Sequence, residues 1–171
     1  YNKEGFPAVP FRTDQFEMND AGKVTGIGVG KPFVCNQPIT NGLFGGLTDG
    51  DLGDTSKTAW ATNSRMNFPK HVTVDLKGKY NVTAIRVHNS ALGGTKTVEV
   101  QVSQDGKEFK TLGKTQFKNY SKDVFELTNL NARGVTHVRL FFPDVHEISF
   151  QRKPNGFIFL RELEIQGAPA Q

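Results

Sequence analysis

The residues of this chain that could do chemistry sit in stretches without periodicity. Thr62-Asn63-Ser64-Arg65-Met66-Asn67-Phe68-Pro69-Lys70 sets one aromatic ring, Phe68, near a guanidinium, Arg65, and an amide, Asn67. An aromatic face beside planar hydrogen-bonding groups can hold a flat, hydroxyl-rich molecule. The same stretch would also suit a solvated connection with Phe68 folded back onto the core. Asp144 to Gly156 carries His146, Glu147, Phe150, Arg152 and Asn155. A connection of that length in a compact domain reads either as a functional loop or as a surface excursion. Catalytic motifs are missing: no Gly-x-Ser-x-Gly elbow, no His-Glu-x-x-His, no phosphate loop and no dinucleotide fingerprint. Glu162 and Glu164 share one strand face, but no opposing carboxylate can be placed from sequence. The expectation is that this is not an enzyme.

Those loops need a scaffold. The chain has 171 residues, 36% hydrophobic and 22% charged, which is a globular composition large enough for a real core. No run of 18 apolar residues is present, so no helix is long and apolar enough to cross a membrane. The net charge of +4 permits anionic partners without requiring nucleic acid. Lys107, Lys110, Lys114, Lys118 and Lys122 read as a solvated face. The one cysteine, Cys35, cannot form an internal disulfide and reads as a small buried strand residue. A first residue of Tyr1 rather than Met is read as a processed or excised start.

Alternation with a period of two recurs along the chain. It appears at Val72-Val74-Leu76, Ile85-Val87, Val98-Val100-Val102, Val138-Leu140-Phe142 and Leu163-Ile165. Each predicts a strand with one buried face. Asp105-Gly106 between apolar runs predicts a hairpin with positive φ at both turn residues. Helical stripes are absent, so the fold class is all-β, an antiparallel sandwich or barrel. Residues 1–27 lack a period and read as an extended lead segment or linker, with the sandwich over 28–171.

Three ordered segments carry a family likeness. The first is Leu47-Thr48-Asp49-Gly50-Asp51 followed by Thr58-Ala59-Trp60. The second runs from Val72-Thr73-Val74-Asp75-Leu76 through Val82–Val87 to Val98–Phe109. The third is Val138-Arg139-Leu140-Phe141 ending in Arg161-Glu162-Leu163-Glu164-Ile165-Gln166-Gly167. This order resembles the discoidin, or coagulation factor V/VIII C-type, domain and the galactose-binding-like carbohydrate-binding modules related to it. The resemblance implies an antiparallel jelly-roll β-sandwich, a ligand site on loops at one end, no catalysis, and a core role for Trp60. It also implies a polar sugar contact after the Ile85–Val87 strand, where His88 and Asn89 stand. The lack of a terminal disulfide points to the bacterial, carbohydrate-binding side of the family.

The ligand-binding candidates are therefore Arg65, Asn67, Phe68, His88, Asn89, His146, Phe150, Arg152 and Asn155. The resemblance further implies a structural calcium ion, held by Leu47, Asp49, Asp51, Thr58 and Glu162. Calcium takes hard oxygen ligands, and Asp49-Gly50-Asp51 offers a carboxylate and bent carbonyls. The alternative is a plain Asp-Gly turn with Glu162 on the surface. The expected function is a non-catalytic module that targets an extracellular or cell-surface protein to a polysaccharide or other glycan, as part of a larger multidomain protein. A second reading is a membrane or protein adhesion module, with Met66, Phe68 and Leu92 as apolar tips beside Arg65, Lys70 and Lys96. A small enzyme on the same scaffold is the third.

Overall fold

A computed structural model of the chain describes residues 22–147, 149–150 and 153–171, without side chains over 148–154. The strands are β1 (Phe33–Cys35), β2 (Trp60–Ala61), β3 (Lys70–Asn89), β4 (Thr97–Ser103), β5 (Lys110–Gln116), β6 (Val124–Leu127) and β7 (Ala132–Phe142). A short ladder of β8 (Ser149–Phe150) with β9 (Lys153–Pro154) precedes β10 (Phe159–Pro169). Among the described residues there is no helix, and every ladder is antiparallel.

β3 bends near Lys77, whose φ is 58°. Its first half pairs with β1 and mostly with β7; its second half pairs with β10 and β6. Two sheets therefore share one long strand, one ordered β1–β3–β7–β4–β5 and the other β2–β10–β3–β6.

The alternating residues supply the core. Val72, Val74, Leu76, Ile85, Val87, Val98, Val100, Val138, Leu140, Phe142, Leu163 and Ile165 are buried. Each such side chain contributes about 1.5–3 kcal/mol on leaving water. Trp60 is a core residue, its ring stacked on Phe142 at 6.0 Å. Cys35 lies in β1 and is half-buried, and burial pushes its thiol up.

The β4–β5 hairpin forms, but not on a two-residue turn. Of the Asp-Gly pair only Gly106 has positive φ, at 79°. Asp105 Oδ1 instead accepts hydrogen bonds from the Lys107 and Glu108 amides, at 2.8 and 3.0 Å. A side-chain turn of this kind replaces the mirror-image turn and lets the loop run over 104–109.

Strand ends sort the loops into two poles. The bend of β3, the β4–β5 loop and the β6–β7 turn lie at one. The segments 36–46, 62–69, 90–96, 117–123, 143–147 and 153–158 lie at the other, where they bond to one another. Of the lead segment, residues 1–21 lie outside the described residues. Residues 22–27 run beside β10, with the Ile27 amide on the Ile165 carbonyl at 3.0 Å and Val24 N on Gly50 O at 2.8 Å.

Candidate functional site

At the loop pole a groove of about 430 Å³ is lined by Pro38, Ile39, Thr40, Asn41, Phe44, Asn63, Ser64, Phe157 and Phe159. Three half-buried phenylalanines form its apolar wall. Phe159 meets Phe44 edge-on at 5.5 Å and Phe157 at 5.3 Å. Strand parity explains the pair at 157 and 159: Ile158 and Leu160 point into the core, so the alternate residues face away. Phe44 is held by its backbone, with its amide on Ser56 O and its carbonyl on the Ala61 amide. Amide groups complete the groove. Asn63 Nδ2 donates to Gln37 Oε1 at 3.1 Å, which orients its carbonyl oxygen toward the Arg65 amide.

Lys70 braces this site from below. It is fully buried. Its Nζ donates to Gly156 O at 2.7 Å, Asn63 O at 2.8 Å and Thr62 Oγ1 at 3.1 Å, and lies 4.9 Å from the Phe68 ring. The ammonium thus ties the 62–69 loop to the 155–158 segment. Burial lowers its pKa to about 8. Lys70 cannot serve as an exposed cation beside apolar tips, as the adhesion reading required. It lies on the same strand parity as Val72 and Val74, which turns it inward.

The expected ligand residues are not all brought together. Arg65 and Asn67 are exposed on the 62–69 loop, and the Arg65 backbone abuts Gly156 next to the groove. Phe68 is half-buried and packs against the core. Asn155 sits beside the groove, and its Oδ1 accepts the Phe157 amide at 2.9 Å. His146 stands farther along the same pole, bonding Phe117 O through Nε2 at 2.7 Å. Asn89 is buried; its amide nitrogen bonds Ser121 Oγ at 3.2 Å, and its carbonyl oxygen Oδ1 has no partner among the described residues. His88 instead meets Glu164 at 3.0 Å, and Glu164 also bonds Arg86, which contacts Glu126. Burial lowers the His88 pKa against the pull of that carboxylate. The Phe150 side chain and the whole of Arg152 lie outside the described residues. Sequence reading missed Phe44, Phe157, Phe159 and Asn41; the alternation Phe157-Ile158-Phe159-Leu160 was the available signal.

The second feature is a cluster of oxygens around Glu162. This carboxylate is fully buried. Oε2 accepts the Gly50 amide at 3.0 Å, while Oε1 has no partner among the described residues. Burial first, then contact with Asp49, pushes its pKa up to about 10. Two glycines let oxygens crowd in. A methyl group at Gly46 would lie 2.1 Å from Thr58 O and 2.7 Å from Asp49 Oδ2. One at Gly53 would lie 2.6 Å from Thr58 Oγ1 and 3.1 Å from Asp51 Oδ1. Leu47 is buried, and its carbonyl accepts the Leu163 amide, which fastens the turn to β10. Among the described residues no three His, Cys, Asp or Glu side chains converge as a ready cluster. The set here mixes carboxylates, a hydroxyl and carbonyls, the oxygen chemistry that suits a hard cation. Glu162, its Oε1 orphaned and in the field of Asp49 and Asp51, is costly to hold ionised unless a proton or a cation neutralises it.

A family model described as F5/F8 type C, NedA-like, galactose-binding domain matches residues 46–139. A search of curated proteins gives no match. Among solved structures, the chain is similar to CpGH89CBM32-5 from Clostridium perfringens, in complex with GalNAc-β-1,3-galactose. That likeness has a TM-score of 0.63 at 20% identity, over 83% of this chain and 99% of that one. Chitosan-binding module 1 from a Paenibacillus sp. chitosanase/glucanase matches with a TM-score of 0.65 at 21% identity, over 84% and 99%. A Streptococcus pneumoniae fucose binding module matches with a TM-score of 0.59 at 17% identity, over 84% and 95%. At these identities the likeness is one of fold.

Proposed function

The chain belongs to the F5/F8 type C family of galactose-binding-like domains, and on that footing we propose that it is a non-catalytic carbohydrate-binding module. It holds a glycan in the groove walled by Phe44, Phe157 and Phe159. The single observation that carries this reading is that groove, where aromatic faces meet the side-chain amides of Asn41 and Asn63. Aromatic faces take the C–H face of a sugar, and amides take its hydroxyls. Asn155 and Arg65, at the rim, extend the polar set. Relatives in fold bind GalNAc-β-1,3-galactose, chitosan or fucose, which supports the same class of ligand here. The module would hold a larger extracellular or cell-surface protein near its glycan, raising local concentration without touching the chemistry.

The same reading includes a structural calcium ion held by Asp49, Asp51, Thr58 and Glu162, with carbonyls of the turn around Leu47. The support is the orphaned Glu162 Oε1 in a pocket of oxygens. The ion would neutralise that cluster and fasten the 46–58 turn to β10. The turn also positions Phe44 through Ser56 O, and its Asp54 carboxylate accepts Ser90 Oγ at 2.5 Å and the Ala91 amide at 2.8 Å. Titration of the folded domain with a glycan panel tests the binding role. The expected result is saturable binding of at least one glycan; no binding to any member contradicts the role.

A further inference from the structure

Beyond the groove, the same pole carries a second aromatic platform. Tyr120 is 57% exposed, the largest exposure of any aromatic side chain among the described residues. Its φ is 58°, a conformation that costs a non-glycine residue energy and persists only where neighbours enforce it. They do. On one side Asn119 Oδ1 accepts the Gly94 amide at 2.7 Å. On the other, Ser121 Oγ donates to Lys118 O at 2.7 Å and accepts from Asn89 Nδ2 at 3.2 Å. The ring lies against Gly93, where a methyl group would come within 2.3 Å of it. Glycine at 93 and 94, at φ 104° and 96°, lets the backbone pass beneath the ring. One part of the tyrosine is thus seated on main chain and the rest is offered to solvent, rigidly and in advance of any ligand.

The platform adjoins the groove. Tyr120 rests on Gly93, and the next residue, Gly94, packs on the carbonyl of Phe157, a groove residue. The two contacts, the Cα–Cβ bonds from which they are measured and the Cα spacing of a trans peptide together place the nearest tyrosine ring atom no farther than roughly 11 Å from the Phe157 carbonyl. One short oligosaccharide can therefore touch both the groove and the tyrosine ring. We infer that Tyr120 forms a second stacking subsite, so that the module's ligand is an oligosaccharide reaching from the phenylalanine groove to Tyr120, rather than a single terminal sugar. This rests on the glycan-binding reading of the groove. Rigid seating matters because an ordered ring loses little freedom when a sugar stacks on it.

The test uses the whole chain and two glycan sets measured by titration calorimetry. The first set is galactose, fucose, N-acetylgalactosamine and glucosamine; the second is GalNAc-β-1,3-galactose, Lewis b and chitosan oligomers. Tyr120→Ala removes the ring from an exposed position, and Tyr120→Phe keeps it. The expected result is an oligosaccharide bound at least tenfold more tightly than its own monosaccharides. Tyr120→Ala abolishes that advantage, Tyr120→Phe retains it within about twofold, and monosaccharide binding is the same in all three. Oligosaccharide affinity unchanged in Tyr120→Ala overturns the subsite and leaves the groove standing. Equal affinity for oligosaccharides and their monosaccharides does the same. Failure of the unaltered chain to bind either set overturns the groove reading itself, and the subsite with it.

Discussion

Glu162 makes the metal-free protein sensitive to pH in an unusual direction. Its folded pKa is raised to about 10, chiefly by burial, against an ordinary value of 4.5. The unfolded chain therefore releases this proton at much lower pH than the folded chain does. Between those values the native state binds one more proton, so stability falls as pH rises, by about 1.4 kcal/mol per pH unit. From pH 5 to pH 8 the loss from this one group is about 4 kcal/mol, a large part of the roughly 5–15 kcal/mol that a domain has. Glu162→Gln removes the titration while keeping an acceptor for the Gly50 amide and a donor toward Asp49. Chelator-treated wild type should thus lose stability between pH 5 and pH 8 in urea titrations, and the variant should lose about 4 kcal/mol less. Calcium should reverse the trend, because the ion displaces the proton. Calorimetry in two buffers of different ionisation heat should show nearly one proton released per ion bound at pH 7. Equal pH slopes for wild type and variant, or calcium binding without proton release, would refute this account of the oxygen cluster.

Lys70 gives the opposite slope at high pH. Its folded pKa of about 8 lies below the ordinary 10.5. The unfolded chain binds that proton more tightly, so stability should rise by about 3 kcal/mol from pH 8 to 10.5. Lys70→Met should abolish the rise in urea titrations. Asp54→Ala strips Ser90 and Ala91 of their shared acceptor and should cost about 1–3 kcal/mol, read by thermal unfolding. Trp60→Ala should cost about 3–5 kcal/mol through the cavity it leaves against Phe142, again by thermal unfolding.

Strand parity made the scaffold legible. Burial alternates over Lys70–Leu76 of β3, Val98–Val102 of β4, Val138–Phe142 of β7 and Leu163–Ile165 of β10, because each stretch buries one face, while bulges after Leu160 and Gln166 interrupt the pattern in β10. The same parity places Lys70 inward with Val72 and turns Phe157 and Phe159 away from the core. Phe44 carries no such signal, since it lies in an aperiodic loop and joins the groove only through contacts with distant residues. Glu162 shares its strand parity with Glu164, yet only one of them is fully buried. The difference is the 46–53 turn folded over it, a long-range contact that local pattern does not encode. His88 shows the converse: it lies inside the last stretch of β3 rather than in the loop after it, and its partner Glu164 comes from β10, away from the groove. At Asp105 the side chain, rather than backbone twist, shapes the turn, and a dipeptide pattern cannot distinguish the two.

The phenylalanine groove is the proposed seat of the glycan. Its most direct test is titration of wild type and Phe157→Ala with the tightest-binding member of a glycan panel, alongside their melting curves. Wild type should bind saturably and Phe157→Ala at least tenfold more weakly, with both proteins folded at the assay temperature. A folded wild type that binds no glycan, or a variant that binds as tightly as wild type, would contradict this placement.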